Sequence, residues 1–530
     1  MLIYSGSRET QENPGVAKFG IALEWGSRGR WFESSHSDQR PKQKLRSFLF
    51  RFTADIFEVH EDMRIGKNLP WEMFGVIMSL AWPTMLEQLM QTAVQYVDTA
   101  MVGSLGTQAT AAVGATSTVN WLIGSTISAV GVGFLSCIAQ ACGSGDMERA
   151  RKASGQAVLA VLFCGTLFTA ITLGVSNWVP VWMQVDESIQ DLAATYFFIL
   201  YTPMLARTAS IIFGTILRSA GDTRTPMLVG MLVNLTNVVL NFLMIYPSRY
   251  ITVAEFSVWM PGAGLGVVGA AIASAIAFLV GGICITAALW RNKTISPKGR
   301  SILPDWEVLG TCLRVALPNA LQRFGTSLGY VAFASMINSL GEVSTAAHTI
   351  ANTVESAFYI PGYGMQTAAA TLAGNALGAK DERRIKDLGK MILLIEVCLM
   401  ILSGSLLFLF AEDMMGIFSH DAQVILLGSI VLRMVAISEP FYGVSIIIEG
   451  MLQGMGKTLM PFVCNIAGMW GIRIAGTFIC TQLLGMGLVS AWGCMIGHNL
   501  MLFFMFVAYY KSGKWYGKTQ KKDENNKNNT

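Results

Sequence analysis

Residues 83–106, PTMLEQLMQTAVQYVDTAMVGSLG, decide the fold. They lie in an apolar run that starts near Phe74 and is long enough to cross a bilayer as a helix, yet Asp98 sits far from either polar flank. Glu87, Gln91, Gln95 and Asp98 are spaced four, four and three apart, so they share one helical face. The remaining surface, with Met85, Leu89, Val97 and Met101, suits lipid or other helices. Polar side chains in hydrocarbon are costly, so the spacing predicts a face turned to a protein-lined cavity, with Glu87, Gln91 and Gln95 lining it. A carboxylate flanked by amides suits a cation or a proton, while pairing with a neighbouring helix is the blander role open to Asp98.

Working outward, composition gives the class. A chain of 530 residues that is 52% hydrophobic and 14% charged, with a mean hydropathy of +0.48, is too apolar to be soluble. The class is an all-α polytopic membrane protein, multi-pass in the cytoplasmic membrane. Twelve apolar segments follow, at about 72–102, 112–141, 153–180, 193–217, 226–247, 264–290, 309–339, 347–377, 388–411, 424–449, 459–482 and 488–510. Basic residues crowd alternate connections, at Arg149 and Arg151, Arg218 and Arg224, Arg291 to Arg300, Lys380 to Lys390, Lys457 and Lys511 onward. The opposite connections hold Arg249, so the positive-inside rule places both termini in the cytoplasm. Arg207, Arg433 and Arg473 fall within membrane segments and are expected to pair with acids or helix-end carbonyls. The nine cysteines lack metal or disulfide spacing and read as small core residues.

Residues 1–62 break from this pattern, being polar and aperiodic with no signal-peptide core. Trp31-Phe32-Glu33-Ser34 back-translates to a string resembling the T-arm of a tRNA gene. The expectation is a disordered extension or a mis-called start, with translation beginning at Met63.

An internal repeat runs at a constant offset of 235. Pro83 falls on Pro318, Ser104-Leu105-Gly106 on Ser339-Leu340-Gly341, Gln140 on Asn375, Gly143 on Gly378, Asp146 on Asp381, Gly221 on Gly456 and Pro226 on Pro461. Past the fifth segment the offset becomes 221, because the connection around 248–261 has fourteen residues its partner lacks. The expected organisation is two parallel six-helix lobes, residues 63–290 and 309–510, a cytoplasmic linker 291–308 and a basic tail 511–530. Parallel repeats of this kind are a transporter layout, with the ligand path between halves.

Three motifs carry a resemblance. Pro83, Glu87, Gln91 and Asp98-Thr99-Ala100-Met101-Val102-Gly103, then Ala376-Leu377-Gly378-Ala379-Lys380-Asp381, then residues 217–226, LRSAGDTRTP, together resemble the multidrug and toxic compound extrusion (MATE) family from about residue 70 to 510. The resemblance implies V-shaped lobes in a monomeric antiporter that exports organic cations or drugs in exchange for Na⁺ or H⁺. It implies small cationic substrates and lipid as partners, no nucleic acid, no enzyme activity and no cofactor beyond the coupling ion. Asp98 matches the family's first-helix carboxylate. Asn237 and Asn241 match an Asn-x-x-x-Asp pair of archaeal members, with Asn241 in place of the Asp. Where NorM-like members place a helix-seven Glu and a helix-ten Asp, this chain has Thr326 and Tyr442. Cation coupling is therefore expected at Asp98, Asn237 and Asn241, with Glu355, Glu439 and Glu449 as further acids of open role. A carboxylate with two amide oxygens offers hard ligands to Na⁺, and a carboxylate in an apolar cavity also holds a proton readily, so the residues leave the ion open.

The alternatives are a flippase for a lipid-linked saccharide and a membrane scaffold without transport. A flippase needs cationic side chains along the cleft to grip phosphate, whereas the first-helix charges are acidic. A scaffold has no use for Glu87 or Asp98. Residues 450–458 nearly read as a phosphate loop, but its register puts Met451 where glycine is needed.

Overall fold

The apolar runs fold into long helices because backbone groups in a bilayer must be satisfied within the segment itself. The computed structural model describes residues 70–516 apart from 184, 254–255 and 301–302; the 1–62 extension, Met63 and the tail beyond 516 lie outside the described residues. The first half holds α1 (Pro70–Gly103), α2 (Thr107–Ser144), α3 (Met147–Gly174), a short α4 (Val179–Trp182), α5 (Glu187–Tyr201), α6 (Met204–Ser219), α7 (Arg224–Met244) and α8 (Gly266–Arg291). The second holds α9 (Trp306–Asn338), α10 (Glu342–Phe358), α11 (Ile360–Gly378), α12 (Glu382–Leu409), a short α13 (Ala411–Phe418), α14 (Ala422–Gly454), α15 (Leu459–Ile466), α16 (Ala475–Phe478) and α17 (Leu488–Lys511).

Eight of the described helical stretches are long and apolar enough to cross a membrane, and nine if the pair α5 and α6, bent by 51°, counts as one span. The rods α1, α9 and α10–α11 complete twelve; their polar side chains dilute the apolar signal. Three features depart from plain spans. The eighth segment breaks at Tyr359, two residues before Pro361. The eleventh widens into π turns at Ala467–Ile474 and Ile479–Leu483. The connection around 248–261 is an antiparallel hairpin, β1 (Pro247–Val253) against β2 (Phe256–Ala263).

The backbone repeats as the sequence does. Left-handed residues recur in pairs, Gly106 with Gly341, Gly221 with Gly456, and Gly145 with Lys380, the one described non-glycine residue with positive φ. Asp146 accepts from the Arg149 N–H at 2.9 Å, and its partner Asp381 caps the next repeat by accepting from Arg384 at 2.9 Å.

Each repeat begins by entering the other half. Ile77, Leu80 and Ala81 of α1 pack into the core of α11, α12 and α14, while Val308 and Cys312 of α9 pack into the core of α2, α3 and α6. The tightest contact lies near the basic connections. A methyl group on Gly143 would stand 1.9 Å from the Asn375 carbonyl oxygen, and one on Gly378 would stand 2.0 Å from that of Gln140. Gln140 also donates to the Gly454 carbonyl at 3.2 Å and Thr84 to that of Gly364 at 2.9 Å. Toward the other end long side chains make the contact: Trp121 meets Tyr330 edge-on at 6.2 Å and Tyr96 donates to Thr353 at 3.4 Å.

Cys137 and Cys312 face each other across the halves with sulfurs 3.0 Å apart. A lipid-soluble oxidant is expected to join them in membranes, and Cys312→Ser to abolish the product on a gel after proteolysis between the halves. Gly143→Val, which drives a branched side chain into the Asn375 backbone, is expected to cut the yield of that cross-link several-fold. Overpacking of about 1–3 kcal/mol shifts such a contact by that factor or more.

Candidate functional site

Asp98 sits three turns beyond Glu87 along α1, where that helix lies against α7. The Asn241 amide nitrogen donates to the Asp98 carboxylate at 2.6 Å. Asn237, one turn earlier on α7, turns its amide so that the nitrogen donates to the same carboxylate at 2.7 and 3.1 Å and the oxygen accepts from the Ser274 hydroxyl of α8 at 3.0 Å. Asp98 is half-buried, while Asn237 and Asn241 are 6% and 1% exposed. The Asn241 side-chain oxygen is buried with no partner. One carboxylate, two amides and a hydroxyl from three helices thus converge, and an acceptor beside the carboxylate stands ready for a cation. Among the described residues no three His, Cys, Asp or Glu side chains gather as a metal site.

The expected residues divide. Asp98, Asn237 and Asn241 come together, and Ser274, which drew no notice in the sequence, joins them. Gln91 and Gln95 lie exposed on the same face of α1. Glu87 does not join the cluster. Eleven residues from Asp98, about 16 Å along the helix, it accepts from Arg218 at 2.5 Å. Arg218, read as a loop residue, belongs to the last turn of α6 and reaches back along the helix to this acid.

In the second half Thr326 spends its hydroxyl on the carbonyls of Gln322 and Arg323. Tyr442 packs edge-on against Tyr359 at 5.0 Å. Tyr359 donates to Glu355 at 2.5 Å, and Glu439 is wholly buried on α14. Glu396, on α12, went unremarked because it sits alone in an apolar run; it too is 0% exposed, and neither its oxygens nor those of Glu439 have a partner. Of the membrane arginines, Arg433 pairs with Glu412 at 2.9 Å, as expected. Arg207 departs from that expectation: its guanidinium donates to the neutral Asn120 at 2.6 Å and lies over Phe278, 4.8 Å from the ring centre. Arg473 lies over Tyr330 and Phe333 at 4.8 and 4.2 Å. Aromatic faces replace carboxylates as partners there.

Two matches to the MatE family profile, at residues 83–243 and 318–506, begin at the repeat-related prolines and cover one half each. The chain belongs to the MATE family. It is 27% identical over 83% of its length to a protein of Thermotoga maritima named a probable multidrug resistance protein NorM, of which 92% is covered. A MOP superfamily transporter from Pyrococcus furiosus, whose binding pocket is described as having reverse polarity, has the same fold: TM-score 0.75 at 24% identity, covering 83% of this chain and 95% of that one. So has a multidrug resistance MATE transporter solved in an outward-facing conformation, with TM-score 0.76 at 23% identity over 83% and 95% of the two chains. Proteins of this family are multi-pass membrane transporters of twelve helices in two lobes, and so is this one.

The Glu87–Arg218 pair generates a prediction. Arg218→Met leaves Glu87 uncompensated and is expected to destabilise the protein by on the order of 2 kcal/mol, less than the roughly 3–5 kcal/mol of a fully buried pair because both side chains keep some solvent. Adding Glu87→Gln removes the stranded charge and is expected to restore most of the loss. Thermal unfolding of the purified protein in detergent compares the two.

Proposed function

We propose that this transporter exports organic cations or drugs across the cytoplasmic membrane, driven by Na⁺ or H⁺ entering at Asp98. The observation that carries the reading is a half-buried carboxylate in a membrane helix with no basic partner among the described residues, held by Asn241 and Asn237, with an unpartnered amide oxygen beside it. An ion at that spot removes the negative charge and frees the amide nitrogens, so the α1–α7 contact differs between loaded and empty states. Such a difference in interaction is what an ion needs to bias two arrangements of the halves. Names of relatives, among them the Thermotoga protein, support drugs as cargo.

Asp98→Asn keeps size and hydrogen bonding but removes the change of charge, and is expected to lower drug export in vesicles by at least about tenfold with expression intact. Asn237→Ala and Asn241→Ala each remove one dipole and are expected to cost less, Thr326→Ala and Tyr442→Phe less again. Imposing a sodium gradient and a proton gradient separately identifies the ion. Wild-type export by Asp98→Asn under both gradients would move coupling elsewhere.

Orientation follows from the charges: the ends bearing Arg149, Lys380 and Lys457 face the cytoplasm, and both termini with them. Reporter fusions after Gly145 and Lys380 are expected to signal cytoplasm, and fusions after Glu187 and Asp413 the outside. The inverse pattern would overturn the assignment.

A further inference from the structure

One spot in the fold occurs twice with different charge. At the offset of 235, Glu87 corresponds to Gln322, Arg218 to Gln453, Gly230 to Asn465 and Gly214 to Glu449. In the first half these four positions meet. Arg218 pairs with Glu87 at 2.5 Å, a methyl on Gly230 would stand 3.4 Å from the Glu87 side chain, and a methyl on Gly214 would stand 3.5 Å from the Arg218 guanidinium. Their counterparts meet as well. The Glu449 Oε1 accepts from Gln322 at 2.8 Å and from Gln453 at 2.9 Å, and its Oε2 accepts from Asn465 at 3.2 Å.

Position is kept between the halves and charge is not. The first half balances one acid with one guanidinium; the second sets one acid among three neutral amides. The Gln322 side-chain oxygen is buried without a partner, on a residue 4% exposed whose nitrogen already touches Glu449. Two acceptors thus lie together, and a positive donor completes them. Glu449 is half-buried and so can be reached. Tyr363 and Tyr442 lie close enough to feel its charge. Tyr363 is 37% exposed, and Tyr330, 40% exposed, meets Trp121 of the other half. Arg473 covers the Tyr330 ring, so the part-exposed Tyr363 is the ring open beside this carboxylate, and an acid next to an aromatic ring favours an organic cation over a bare metal ion.

We propose that Glu449, held by Gln322, Gln453 and Asn465, docks the charged head of an organic cation, which takes there the place that the Arg218 guanidinium takes opposite Glu87. Calling that cation the cargo rests on the export reading above; the docking itself does not.

The test is equilibrium binding of ethidium to the full-length protein in detergent, read by fluorescence. Glu449→Gln is expected to weaken binding by about tenfold or more, as loss of a charged partner does. Gln453→Arg keeps the carboxylate but supplies the guanidinium of the first half four residues along the same helix face, and is expected to weaken binding as much; it covers the case in which Glu449→Gln does not fold. Unchanged affinity in both variants overturns the proposal. Displacement of ethidium by sodium, stronger than by potassium at equal ionic strength and still present in Asp98→Asn, where the first-half carboxylate is gone, assigns Glu449 to an alkali ion and overturns it too. Ethidium binding that depends on Glu449, in a protein whose vesicles export nothing, leaves the docking site standing and removes the export reading instead.

Discussion

Where Gly143 meets the Asn375 backbone and Gly378 meets that of Gln140, no side chain separates the two halves, and no side chain fits. The contact is its own counterpart under the repeat, because Gly143 and Gly378, like Gln140 and Asn375, are partners at one offset. Around it α1 and α9 exchange their N-terminal parts between the cores, so near the basic connections the halves are joined by close apolar and backbone packing. Contacts of this kind are either made or broken, since close-packed surfaces do not deform smoothly.

Duplication produced the frame, and divergence within it produced chemistry. Asp98 has Phe333 as its repeat partner, so one half has a carboxylate where the other has a wholly buried ring. Gly214 and Glu449 reverse that relation at another depth. A symmetric pair of lobes would have equal affinity for an ion on each side. This one distributes its membrane carboxylates unevenly between the halves.

Much of this was legible in the sequence, for identifiable reasons. Segment lengths follow from bilayer thickness, and the turn glycines Gly106 and Gly221 recur as Gly341 and Gly456, so helix count and order were open to reading. Asp98 and the asparagines could be joined because a family motif links residues far apart in the chain. The partner of Glu87 was not legible in the same way: helical spacing shows a shared face but not what reaches it, and the Arg218 side chain crosses from a helix end to mid-helix. Glu396 was hidden by its neighbours, since a lone acid in an apolar run leaves no periodic trace. Nor do the π turns of the eleventh span have a distinguishing sequence mark, because glycines such as Gly468 and Gly471 occur inside the regular spans as well.

The position of the glycine contact has a mechanical meaning. Gly143 stands at one end of α2, a rod of 38 residues, so the far end is about 54 Å away. A tilt of about 10° about that end displaces the other by roughly 9 Å, while atoms at the fulcrum move by a fraction of an ångström. Little of the packed surface near the pivot is then disturbed, and the displacement falls on contacts farther along α2, such as Trp121 with Tyr330. The short arm keeps the halves registered, and the long arm sweeps the distance a bulky solute needs.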